Sequence, residues 1–397
     1  MVASDIKDFL DSFDDKTYDA RITKNIRFSD QKCTPDVISF IADCILTTEY
    51  ATKPFTKTDL WKTTYFKQNT RVVYGKPYGD DPGAKREYDK ICGQPLALLS
   101  YAHVLNRKKV KRSWQYTIAN QEMLEYIASK ENRTCTFLYQ YFLKILSTNG
   151  LERYFNDYRN SWQVDTAEAH ANLYSSFRTF VKANSKVKRD LEPDRILHKI
   201  LNIIAFFERI PGSNGKVPEF YDLMYNDFNP RDVGKRKSDT RSKQKTRKRK
   251  DDASTKKYVT DYYVKKATDQ VRRYQGEICE IFDTNSSESI HVHHIFPRRK
   301  FPQIAAYYEN LIVLTTTQHL SKAHPRGKTN LIDPHFQYLC LIAKTSSIEK
   351  SIASKSDFYD WGKFIEVLSV GLRRDIDSCL TYEEIRTILT SIYILEG

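Results

Sequence analysis

The heptapeptide HVHHIFP, residues 291–297, places three histidines within four positions. Nine histidines occur in the 397-residue chain, and six of them fall between His291 and His335. A neutral imidazole takes up or releases a proton near pH 7 and is also a common ligand for divalent metals. A single buried core histidine needs no neighbours of its own kind. The cluster therefore points to proton transfer, metal binding, or both.

Side chains from so short a segment act together only if local structure converges them. ESIHVHH carries β-branched residues at alternating positions, which predicts a strand over Ser289–His293. FPRRKFPQIAAYYE, with two prolines, reads as a loop, and NLIVL (Asn310–Leu314) as a second strand. Thr315 or Thr316 can cap a short helix through TTQHLSKAH, which stops at His324 because Pro325 follows. The expected order is strand, loop, strand, helix.

On these residues the segment resembles the HNH, or ββα-metal, nuclease motif of many restriction endonucleases, homing endonucleases and colicin-type nucleases. The pattern HHIFP…NLIVLTTTQHLSKAHP is most similar to restriction-enzyme versions and covers roughly residues 277–330. The resemblance implies His293 as the first metal ligand, His294 as the general base, Asn310 as the residue that fixes the base loop, and His319 as the helix ligand. It implies hydrolysis of phosphodiesters with one divalent metal per site, Mg²⁺ or Mn²⁺ with Zn²⁺ as a further option. The products would carry 5′-phosphate and 3′-hydroxyl ends. The required chemistry matches these groups: a base to activate water and a Lewis acid for the phosphate and leaving oxygen.

The segment departs from the family pattern in several places. The colicin-type third ligand lies four residues beyond the helix histidine, whereas His324 lies five beyond His319. On a regular helix that is about 140° around the axis instead of about 40°, so His324 ligates only if the last turn unwinds. The paired cysteines of a structural zinc are missing, with only Cys279 nearby. Histidine at position 293, where Asp is common, makes a softer site that admits Zn, Mn or Ni more readily. His291 shares a strand face with His293, either behind the metal or as an ordinary strand residue, and His335 is left as surface or core. Arg298, Arg299, Lys300, Lys322 and Arg326 surround the motif with positive charge suited to DNA phosphates.

Other machinery is absent from the sequence. The GKT at Gly327–Thr329 lacks the upstream glycine of a P-loop, so no ATP dependence is expected. Neither a Pro-Asp followed by Asp/Glu-x-Lys nor an H-E-x-x-H occurs. With 40% hydrophobic and 29% charged residues, the composition is that of a globular protein, and no apolar run reaches the ~20 residues of a membrane span. The N-terminus has no basic, then apolar, leader, and the seven scattered cysteines form no C-x-x-C; a reducing cytoplasm is expected.

Net charge is +14, and Lys235–Lys250 supplies ten Lys/Arg against one Asp. Such a run cannot bury a core and reads as a solvated arm that gains from counterion release on nucleic acid. It divides the chain into a helical region 1–230, a linker 231–257, a nuclease domain 258–335 and C-terminal helices 336–397 suited to a dimer interface. A winged helix-turn-helix near 113–150 is one reading of the first region: strand WQYTI, then helices after Asn120 and through TCTFLYQYFLKIL. Plain helical packing is the other. The expected fold class is α+β, predominantly helical, with a helical N-terminal DNA-recognition region. The expected function is a type II restriction endonuclease cutting double-stranded DNA as a homodimer, beside a separate cognate methyltransferase. A modified-DNA-directed or homing-type nuclease, or a non-catalytic DNA-binding protein, are the alternatives.

Overall fold

The computed structural model describes residues 3–74, 84–225, 261–276, 278–282, 284–285, 289–319 and 332–395. The chain forms two compact units, Ala3–Arg241 and Ser242–Gly397. It is predominantly helical, with strands gathered into small sheets. No helix among the described residues is long and apolar enough to cross a membrane. The Lys235–Lys250 run, Lys322, His324 and Arg326 lie outside the described residues.

Unit 1 begins with α1 (Ala3–Asp11), the short α2 (Ala20–Thr23) and α3 (Pro35–Thr47). Pro35 occupies the first turn of α3, where its missing N–H costs nothing, and the helix is buried from Pro35 to Ile45. Strand β1 (Phe55–Thr56) leads directly into α4 (Lys57–Lys62), with Thr56 and Asp59 forming a reciprocal capping box. Helices α5 (Thr64–Tyr74) and α6 (Ala84–Tyr101) precede a hairpin of β2 (Leu105–Val110) and β3 (Ser113–Ile118). The sheet order is β1-β3-β2, all antiparallel.

Then come α7 (Gln121–Ser129), capped by the Asn120 side chain, and α8 (Glu131–Thr148). Gly150 adopts φ +67 beyond its end, a left-handed turn that glycine enters without a Cβ penalty. Helices α9 (Glu152–Ser161), α10 (Thr166–Ala183) and α11 (Leu191–Glu208) follow. The winged reading of 113–150 therefore needs correction. The strand over WQYTI pairs backward, with β2 and β1, and α8 is followed by α9 instead of a wing. The basic hairpin precedes α7 and α8.

Unit 2 contains α12 (261–275), β4 (Ile278–Cys279), β5 (Thr284–Asn285), β6 (Ile290–His294) and β7 (Leu311–Thr315). It closes with α13 (Pro334–Ala353), α14 (Trp361–Leu372) and α15 (Tyr382–Thr390), the last opened by the Thr381–Glu384 capping box. β6 and β7 pair antiparallel with His293 opposite Ile312 and His294 opposite Leu311. Glu280 lies along the other edge of β7, its N–H donating to Val313 O at 3.1 Å. With neighbours on both edges and helices packed on it, β7 is buried from Leu311 to Leu314, which explains its unbroken apolar run.

Candidate active site

The site is built on the β6–β7 hairpin and the helical turn at 316–319 that leaves β7. A β-strand sends alternate side chains to opposite faces, so His291 and His293 share one face of β6. The turn brings His319 to that face. Its ring lies 5.3 Å from His293 with the planes at 74°, and 5.1 Å from His291 with the planes at 12°.

A further capping box fixes this turn. Thr315 Oγ1 accepts from the Gln318 N–H at 3.2 Å, and Gln318 Oε1 accepts from the Thr315 N–H at 3.0 Å. Gln318 Oε1 also accepts from the Cys279 thiol at 3.1 Å, which ties the turn to β4. Thr315 is thus the cap, while the Thr316 hydroxyl donates to Ser289 O at 2.8 Å and closes the far end of the hairpin.

Two imidazoles on one tetrahedral ion, each at about 2.0–2.1 Å, place their ring centroids about 5.2 Å apart with planes free to cross. His293 and His319 fit that requirement. The His291 ring, nearly parallel to that of His319, stacks on it and supports it from the same strand face. Among the described residues no three His, Cys, Asp or Glu side chains form a complete metal set. His293 and His319 are the candidate pair that the hairpin and the turn bring together.

His294, next along β6, belongs to the opposite strand face and makes no ring contact with the other histidines among the described residues. Its Nε2 lies 3.0 Å from Ala305 O in the connecting loop. A carbonyl only accepts, so Nε2 carries the proton and Nδ1 holds the lone pair. Burial pushes the pKa of this imidazole below the ordinary histidine range, and the carbonyl contact opposes that shift. The result is a neutral, oriented imidazole of the kind a general base requires.

Asn310 holds the loop that presents Ala305. It is fully buried. Its Oδ1 accepts from the Phe296 N–H at 2.8 Å, and its Nδ2 donates to Phe296 O at 3.1 Å and Ile304 O at 3.3 Å. The backbone completes the clamp, with Ile295 N–H donating to Asn310 O at 2.9 Å. From α13, Gln337 Nε2 donates to Ile295 O at 2.7 Å. From α14, Gly371 lies against the Phe296 ring so closely that a Cβ would overlap it. Both ends of the connection are thus pinned.

Behind β7 lies a group that is not apparent in the sequence. Lys344 of α13 and Glu280 are buried and meet at 2.6 Å, and Lys344 Nζ also donates to the Tyr359 hydroxyl at 3.0 Å. The other Glu280 oxygen accepts from the Val313 N–H at 2.8 Å. This pair anchors β7 between the clamp and the capped turn. Burial lowers the Lys344 pKa, and Glu280 opposes the shift.

Of the expected phosphate contacts, Arg298 is half-buried and ion-paired with Asp261, while Arg299 and Lys300 are exposed in the loop. His335 sits exposed in the first turn of α13, away from the histidine cluster in sequence and contact. Comparisons with protein-family models, with curated proteins and with solved structures find no match to this chain.

Proposed function

We propose that this protein is a metal-dependent endonuclease of the HNH type acting on double-stranded DNA, with sequence-specific restriction as its role. The observation that supports this most is the coupling of His294 to Asn310: one buried amide fixes the loop whose carbonyl sets the tautomer and direction of the imidazole. A histidine held only for packing needs no such arrangement.

In this reading His294 Nδ1 takes a proton from water as that water attacks phosphorus. The bond to the 3′ oxygen breaks, leaving a 5′-phosphate and, after protonation from solvent, a 3′-hydroxyl. A divalent cation held by His293 and His319 would supply Lewis-acid stabilisation of the phosphate charge and the leaving oxygen. Arg299 and Lys300, both exposed in the loop, would hold DNA phosphates. A palindromic target would be matched by a homodimer, for which the helices after residue 336 are the proposed interface. A separate methyltransferase would protect the host's own sites.

The test is incubation of the full chain with unmethylated DNA and Mg²⁺, Mn²⁺ or Zn²⁺, beside His294→Ala. Discrete fragments, reduced by about 10²- to 10⁴-fold in rate in the variant, are expected. Equal cleavage by the two proteins would remove His294 from the mechanism.

A further inference from the structure

The β2–β3 hairpin of unit 1 is a feature that the nuclease reading does not use. Its fourteen residues, Leu105–Ile118, include Arg107, Lys108, Lys109, Lys111 and Arg112 and no acidic residue. The base of the hairpin is anchored: Leu105 and Tyr116 are buried, and Tyr116 packs on Phe55 of β1. Beyond that base, every residue from Lys108 to Trp114 is exposed. Among the described residues no carboxylate pairs with Lys108, Lys109, Lys111 or Arg112. Five like charges on one ribbon repel one another.

The ribbon also presents apolar surface at the same place. Trp114 is 43% exposed and Val110 41% exposed, and the Arg107 guanidinium stacks over the Trp114 ring at 4.7 Å. The connection is a two-residue turn whose first residue, Lys111, holds φ +54. Asn or Gly would enter that region at lower cost. The turn instead places two cations at the tip.

We infer that this ribbon is a second DNA-binding element, inserted into a groove of B-form duplex with its charges on the phosphates that border it. Cross-strand register decides the shape of the partner. Arg107, Lys109 and Trp114 share one face, Lys108 lies on the other, and Lys111 and Arg112 form the tip. A flat anionic surface would meet one face alone, whereas the walls of a groove meet both. The B-form major groove is about 12 Å wide and admits a two-stranded ribbon. The deep groove of A-form RNA is too narrow. The inference shares with the nuclease reading only its choice of DNA.

The test measures binding without cleavage. Full-length His294→Ala, in chelator, is titrated onto a fluorescent DNA duplex at salt from about 50 to about 300 mM. Adding Lys108→Ala, Lys109→Ala, Lys111→Ala and Arg112→Ala should reduce the slope of log K against log salt by about 3–4, at roughly 0.9 per phosphate contact. Affinity should fall at least tenfold, with an unchanged circular dichroism spectrum. A charge-conserving Lys108→Arg, Lys109→Arg, Lys111→Arg variant should keep the slope, so misfolding cannot imitate the result. An unchanged slope in the folded alanine variant overturns the inference. So does absence of duplex binding by the parent, or equal ribbon-dependent binding to duplex RNA or anionic vesicles. Absence of cleavage by the wild type would count against the nuclease reading and leave this one standing.

Discussion

Replacing Asn310 by alanine removes three hydrogen bonds from a fully buried position. The Phe296 N–H and the carbonyls of Phe296 and Ile304 lose their partner, and the cavity is small. A buried group left unsatisfied costs about 1–3 kcal/mol, and carbonyls relax more easily than an N–H. The loop is therefore expected to lose about 2–4 kcal/mol of stability against opening. Since about 1.4 kcal/mol is a factor of ten, amide hydrogen exchange in the 295–310 segment should accelerate by about 30- to 700-fold. Mass spectrometry of peptides covering that segment measures this directly in the full chain. Asn310→Asp separates acceptor from donor. It can still accept from Phe296 N–H, but its second oxygen faces two carbonyls, so it should open the loop at least as much. Exchange within threefold of wild type in both variants would refute the clamp.

Three further outcomes follow from the same geometry. His293→Ala and His319→Ala should each weaken Zn²⁺ or Mn²⁺ binding at least tenfold in calorimetry, and the double variant should abolish it; retention in the double variant would place the ion elsewhere. Lys344→Met strands the buried Glu280 carboxylate and should cost about 3–5 kcal/mol in urea unfolding. Adding Glu280→Gln, which keeps the acceptor for Val313 N–H, should recover part of that loss; no recovery would mean that the pair is not the source. Gly371→Ala drives a methyl into the Phe296 ring and should cost about 1–3 kcal/mol while accelerating exchange in the 295–310 segment. A fully stable variant would show that Phe296 is free to move.

The histidine hairpin was legible in sequence because it is local. Its pairing, from Ile290↔Thr315 to His294↔Leu311, involves consecutive strands joined by the single connection 295–310, and each strand lies one residue beyond its expected start. Alternation and threonine capping suffice at that range. Ala305 as the partner of His294 was not legible, since a backbone carbonyl leaves no signature in residue type. Nor was Glu280–Lys344, whose members stand 64 residues apart and individually look like surface charges. The β2–β3 hairpin escaped for a different reason. LNRKKV has little β-branched or aromatic content, and its Lys-Arg turn lacks the glycine or asparagine that marks most two-residue loops. WQYTI was recognisable as a strand, but β1, its partner on one side, is two residues long and too short to register as a pattern.

The Asn310 clamp also has a consequence for how such a protein can change over time. It grips Phe296 and Ile304, so the exposed Arg299 and Lys300 lie between fixed points and outside the clamp's hydrogen bonds. Those two side chains can be exchanged without touching the bonds that hold His294 and Ala305. Drift in what the loop touches is thereby insulated from the residues proposed to act on the bond. New target preferences could then accumulate by ordinary substitution there while the chemistry is inherited unchanged.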